Sequence, residues 1–264
     1  MSNYFLRDLI SANSGSMLLA VIQDQTIIVI LQATLVILTH KIAYFSHYKR
    51  HKLRFHMFSQ YQQQCEEFIV ANMKTDLAHD LLHVKRVVKL ATKIANEEQA
   101  DLNIVLPAAW LHDCLSYPKN HALRSLSSLH SADKAIIFLR SIDYPEEFLL
   151  PIHHAISAHS VSGGVVADSL ESKVVQDADR LDALGAIGVA RCIQVSSQLD
   201  RPLYSPEDAF AIDREVNDQK FTIDHFYQKL LKLATSMNTK TGKAIALQRT
   251  EFMKSYLQQL ALEI

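Results

Sequence analysis

A histidine and an aspartate stand side by side where an apolar run ends: Ile104 to Leu111 leads straight into His112-Asp113-Cys114. Neither residue type belongs in a core unless it has a partner. Neutral imidazole and carboxylate are also among the commonest ligands of divalent metals. His83 upstream and Asp179 downstream offer the same chemistry from two other segments. Taken as one site, two imidazoles and two carboxylates suit a hard-to-borderline divalent ion such as Mn²⁺, Mg²⁺, Fe²⁺, Co²⁺ or Zn²⁺. Four protein ligands in octahedral geometry leave positions for water and substrate, so such an ion could activate a water and polarise a phosphoryl oxygen. Lys119, His121 and Arg180 are candidates to neutralise the charge that moves in phosphoryl transfer.

Helices must carry these groups. Asp80 can cap a helix over Leu81–Asn96. In it Val87, Leu90 and Ile94 follow His83 at offsets of 4, 7 and 11, so His83 heads an apolar stripe that faces the core. Arg86, Lys89 and Lys93 fall mostly off that stripe. Ile104–Leu115 is the next helical segment, with Pro107 expected in a first turn or at a bend. A polar loop from Ser116 to His121 follows. Helices are predicted over Phe58–Met73, Ser128–Ser141, from Pro145 onward with a break at Pro151, near Asp224–Ser236 and over Gly242–Leu262. The longest pattern is Glu171–Leu199, where Val175, Asp179, Asp182 and Ala186 share one face. Gly185 and Gly188 would let another element approach it closely. Few glycines and prolines and no strand pattern point to an all-α fold.

The bulk properties set limits. Lys+Arg is 27 against Asp+Glu 28, so no overall charge draws the chain to a nucleic acid polymer. Cys65, Cys114 and Cys192 are odd in number and lack a CxxC, which fits free thiols in a reducing, cytoplasmic setting. Residues 1–56 differ from the rest. Thr26 to Thr39 is almost wholly apolar, and a basic stretch from Lys41 to Arg54 follows. Three readings compete for this N-terminal hydrophobic segment. It could be a weak anchor touching the inner face of a membrane through residues 20–45, a helix packed on the main domain, or sequence ahead of a true start at Met57. Residues 57–264 form the main domain.

Each candidate has a plainer reading. A histidine on an apolar stripe is usually a hydrogen-bonded core residue. Lys119 and Asn120 suit a turn. Asp182 could cap its helix or pair with Arg180 or another basic group, and Asp177 reads as a solvated helix face. It is the joint occurrence of His83, His112-Asp113 and Asp179 in successive helices that favours a site.

That order of His, His-Asp and Asp, the last within Asp177-Ala178-Asp179-Arg180-Leu181-Asp182, resembles the signature of the HD superfamily of metal-dependent phosphohydrolases. The resemblance runs from about residue 60 to the C-terminus. Within the superfamily the chain is most similar to the YedJ-like bacterial branch, in Ala78-His79-Asp80, Lys119-Asn120-His121, His154 to Ser160, the Gln176–Ala190 helix and Asp224-His225-Phe226. It implies an HD-domain helical bundle with one metal ion held by His83, His112, Asp113 and Asp179. Asp113 would also orient or deprotonate the attacking water. His154 and His159 fall where some HD enzymes place extra histidines, which contact phosphate or hold a second metal ion; with no extra acidic bridging residue they are assigned to phosphate, together with Asn120 and Asp182, and His130 is a weaker candidate. Cys114-Leu115 departs from the Ile-Gly or Gly-Lys of several HD groups. The lack of Gly-Tyr-Pro disfavours a cyclic-di-nucleotide phosphodiesterase, and the lack of a synthetase domain disfavours a long alarmone enzyme. The expectation is hydrolysis of a small phosphate ester, a nucleotide, by metal-activated water, with Arg180, Lys119 and His121 holding the phosphate. The rival is a non-catalytic HD module that senses a nucleotide, tethered at a membrane.

Overall fold

The computed structural model describes residues 57–73, 80–118 and 121–264. Residues 1–56, with the stretch 20–45 expected to touch a membrane, lie outside this set, as do Lys119 and Asn120. The described residues form helices and no strand, as expected. In chain order they are α1 (Gln62–Asn72), α2 (Leu81–Glu98), α3 (Leu102–Leu111), α4 (Ser127–Ser141), α5 (Glu146–Ser157), α6 (Leu170–Leu181), α7 (Gly185–Gln198), α8 (Thr222–Gln228) and α9 (Lys240–Ala261). Among the described residues no helix is long and apolar enough to cross a membrane.

The core is built around α3. Its sequence is apolar on every side, and nine of its ten residues are buried, which only a helix surrounded by others can achieve. It packs against α1, α2, α4, α5 and α6. Leu102, Val105, Leu106 and Leu111 are buried here, each contributing roughly 1.5–3 kcal/mol by leaving water. Pro107 does not sit in a first turn or at a bend, as its chemistry suggested, but inside this helix. Its missing N–H leaves the Asn103 carbonyl without a helical donor. The Tyr144 hydroxyl donates to that carbonyl at 2.7 Å, so the helix continues unbroken. Pro151 likewise lies within α5 without breaking it; the carbonyl it frees belongs to exposed Glu147, where water can serve.

The predicted helix Glu171–Leu199 is in fact two. α6 stops at Leu181 and α7 starts at Gly185, whose φ of 72° is the left-handed conformation that glycine adopts most easily. A side chain at position 188 would begin 2.2 Å from the Ala183 carbonyl oxygen, so the tight return also needs Gly188. The predicted helix over 224–236 divides too, into α8 and a 3-10 segment, Leu230–Ser236.

Asp177 is not a solvated face. It is fully buried, because the start of α9 closes over it. Its carboxylate accepts from the Asn238 backbone N–H at 2.9 Å, the Thr239 N–H at 2.8 Å and the Thr239 hydroxyl at 2.8 Å. Thr239 in turn caps α9 by accepting from the Gly242 N–H at 2.9 Å. Asp177→Ala is therefore expected to destabilise the fold by about 3 kcal/mol, since it strands several buried donors at once. Urea unfolding measures this, and a loss below about 1 kcal/mol would show that the cap holds α9 without the carboxylate.

Candidate metal centre and its cleft

Four helix ends meet beside α3. His83 lies in the first turn of α2, and the Asp80 side chain that caps this helix accepts from the His83 N–H itself at 2.8 Å. The cap thus fixes the backbone of the residue that matters. His112 and Asp113 follow the last turn of α3, where the buried helix delivers them to its end. Asp179 and Asp182 stand at the C-terminal end of α6, and His159 just past α5.

The two central rings are oriented from behind. His83 Nδ1 lies 2.8 Å from Asp182 Oδ2, and His112 Nδ1 lies 2.9 Å from the Ala109 carbonyl oxygen. Both partners are acceptors, so both Nδ1 atoms carry the proton, and both Nε2 atoms present lone pairs. These Nε2 atoms face each other at 3.4 Å. Asp113 Oδ2 is 3.6 Å from His112 Nε2 and 3.9 Å from His83 Nε2. Asp179 Oδ1 is 3.5 Å from His83 Nε2 and 3.9 Å from His112 Nε2. Acceptors gathered this closely repel one another unless a cation stands between them. Around an ion with bonds of about 2.1 Å, neighbouring ligands sit roughly 3–3.4 Å apart, so an inward shift of a few tenths of an ångström would suffice. His83, His112 and Asp113 form a group that could hold a metal ion.

Electrostatics favour the same protonation states. Burial lowers the pKa of His112 and keeps the imidazole neutral, as a ligand must be. Burial opposes the charge on Asp113, but His112 and His159 outweigh it and hold the carboxylate well below its ordinary range. Burial also disfavours the charged form of His159. The Asp113 carboxylate, 3.6 Å away, overcomes this and raises its pKa to about 9. The other ring nitrogen of His159 donates to the Ile156 carbonyl at 2.7 Å.

Asp182 does not face a substrate. It is 1% exposed and its carboxylate is fully engaged. Beyond His83, it takes two hydrogen bonds from Arg86, at 2.7 and 3.0 Å, and one from Arg191 at 2.7 Å. Burial would raise its pKa, but His83 and Arg86 hold it far below the ordinary aspartate value. Its carboxylate is held by His83, Arg86 and Arg191, and Asp182, expected from the sequence on substrate, does not line the cavity beside Asp179. Arg86 was missed although it lies one turn from His83, a spacing that puts both on one face. Arg191 had no local signal, because the α6–α7 break brings it back to Asp182.

A cavity of about 340 Å³ opens beside Asp179. Arg180, expected to hold phosphate, lines it and donates to the Ser236 carbonyl. Arg124, Arg191, His225 and Lys229 line it as well, together with the apolar Val195 and Leu233. Of these, the sequence assigned a role to Arg180 alone; His225 stood in a stretch noted for its resemblance, without a role. The other expected phosphate contacts have different partners. The His121 ring stacks on Tyr117 with centroids 4.7 Å apart, and His154 Nε2 lies 2.7 Å from the exposed Asp168 carboxylate. His130 accepts or donates at 2.9 Å with the Tyr117 hydroxyl.

Comparison with known proteins places this arrangement. The HD domain family model matches residues 81–184, a span that contains all four expected ligands. YpgQ of Bacillus subtilis is 35% identical over 190 residues, which cover 70% of this chain and 84% of YpgQ. The crystal structure of YpgQ in complex with ADP matches with a TM-score of 0.60 at 33% identity, over 78% of this chain and 95% of that one. An HD-superfamily hydrolase from Bacillus thuringiensis matches with a TM-score of 0.60 at 29% identity, over 78% and 97%. The chain belongs to the HD domain family.

Proposed function

We propose that this protein is a metal-dependent phosphohydrolase acting on a small phosphate ester, a nucleotide, with one divalent ion held by His83, His112, Asp113 and Asp179. The observation that carries this reading is the pair of proton-free Nε2 atoms facing each other at 3.4 Å with two carboxylates beside them. The ion, when bound, supplies Lewis acidity: it makes a water easier to deprotonate and draws charge from a phosphoryl oxygen. Asp113 touches the water and accepts its proton, while His159 holds the outer carboxylate oxygen in place. Arg180 and Arg124, across the cavity, bind and orient the phosphate. The adjoining apolar wall of Val195 and Leu233 suits the base of a nucleotide, and the ADP complex of YpgQ supports that class of ligand. Two imidazoles and two carboxylates suit Mn²⁺, Mg²⁺, Fe²⁺, Co²⁺ or Zn²⁺.

The test is metal content and turnover of the full-length chain. About one equivalent of divalent metal and phosphate release from at least one nucleotide in Mn²⁺ or Mg²⁺ are expected. Chelation should stop turnover, and adding Mn²⁺ back should restore it. Metal bound with no turnover across mono-, di- and triphosphates would replace the enzyme with a nucleotide-binding module.

A further inference from the structure

The groups named so far leave one task without a residue. When a phosphate ester is cleaved, the leaving oxygen departs with the bonding electron pair and, unless it is a weak base, needs a proton. Asp179 is taken by the metal site. Of the side-chain types among the described residues lining the cavity, imidazole is the one that ordinarily changes charge near neutrality, and His225 supplies it.

His225 sits in α8, on the same cavity as Asp179 and Arg180. Its Nδ1 is 2.9 Å from Asp218 Oδ2. A carboxylate behind one ring nitrogen fixes the tautomer and aims the other nitrogen, which is how histidines are prepared for proton transfer. From the geometry we infer that His225 Nε2 is the proton donor to the leaving oxygen, with Asp218 as its positioning residue. This rests on the phosphohydrolase reading above. In the step, water forms the new P–O bond and gives its proton to Asp113. The old P–O bond breaks, its electron pair stays on the leaving oxygen, and that oxygen takes the proton from Nε2. His225 is left neutral and regains its proton from solvent, as Asp113 returns its own.

The surroundings couple this proton to the substrate. Burial lowers the pKa of His225, Asp218 opposes the fall, and Lys229 and Arg201 add to it. Arg124, Arg180 and Arg191 face the same cavity, so the empty site disfavours another positive charge. A phosphate oxyanion reverses that balance and charges the ring when a substrate is there to use it.

The test compares two esters of similar shape. Phenyl phosphate releases a phenolate as basic as that of tyrosine, with a pKa of about 10; the nitro group of 4-nitrophenyl phosphate makes its leaving oxygen a far weaker base. In the Mn²⁺-loaded full-length protein, His225→Gln is expected to lower kcat on phenyl phosphate by about 10²-fold and on 4-nitrophenyl phosphate by less than about threefold. A misfolded fraction would lower both rates equally, so their ratio reads chemistry and not stability. Asp218→Asn should show the same selectivity at about tenfold, with the alkaline limb of the pH profile, where the donor loses its proton, moved to lower pH. Without metal, inorganic phosphate should raise the pKa of the His225 ring by about one unit, read by NMR, and leave His153 unmoved. Equal losses on both esters, or an unmoved His225 resonance, would overturn the donor role while leaving the hydrolase reading intact. A wild-type protein inactive on both esters and on every nucleotide would overturn both.

Discussion

Asp113→Asn should abolish turnover, by about 10³-fold or more in kcat/KM, while the protein stays folded. The substitution keeps the shape of the side chain and removes its charge. Two consequences follow from the geometry. Asp113 Oδ2 stands 3.6 Å from His112 Nε2 among the other donors, so an ion there loses a full negative charge from its ligand shell. Asp113 Oδ1 faces His159 at 3.6 Å, and with the carboxylate gone His159 loses what keeps it charged. The attacking water then has neither the same electrostatic support nor a base. The fold should lose some stability at neutral pH, because the charge that keeps His159 protonated is gone, but it should survive, since Asp113 lies at the rim of the core, 18% exposed, where an amide can still be hydrated. The measurement is kcat/KM at saturating Mn²⁺, paired with metal content and thermal unfolding. Activity retained above a tenth of wild type would remove Asp113 from the chemistry, whatever its place beside the metal.

The four side chains expected to meet were legible because each is marked locally. A helix start with Asp80 in the cap position, an apolar run ending in two polar residues, and a carboxylate at helical spacing from Val175 are all patterns within a few turns of chain. What surrounds them was less legible, for a physical reason. Asp177 and Asp182 occupy α6 with similar neighbours in sequence, yet one is capped by the start of α9 and the other by Arg86 and Arg191. Counting offsets cannot tell these apart, because the covering groups come from elements 9 to 96 positions away. Pro107 is a further case. Its position argued for an end or a bend, and only Tyr144, 41 residues away from Asn103, supplies the donor that lets the helix run through it. The cleft residues Arg124, His225 and Lys229 meet only once α8 and the 3-10 turn before α4 are folded against the metal-bearing ends.

Asp182→Asn separates a residue that aims a ligand from one that binds substrate. The carboxylate receives His83 Nδ1, a two-pronged contact from Arg86 and one from Arg191, all within 3.0 Å. An asparagine offers one oxygen and one NH₂ in the same space. If its oxygen stays with the arginines, the NH₂ confronts His83 and favours the wrong tautomer, with the proton on Nε2 where the metal should be. If its oxygen serves His83, its NH₂ points at a guanidinium. Either way His83 becomes a poorer ligand, and divalent metal affinity should fall by about 10–100-fold. The fold should weaken by about 3 kcal/mol, because two partly buried arginines lose a charged partner. Titration with Mn²⁺ and urea unfolding measure the two effects. The decisive comparison is at high Mn²⁺. A positioning residue loses occupancy and not chemistry, so most of kcat should return once the site is filled, with KM for the nucleotide near wild type. Unchanged Mn²⁺ affinity with a raised KM would instead put Asp182 on the substrate and leave His83 aimed by something else. Its burial behind His83, with both carboxylate oxygens held by a guanidinium or an imidazole, argues for the first outcome.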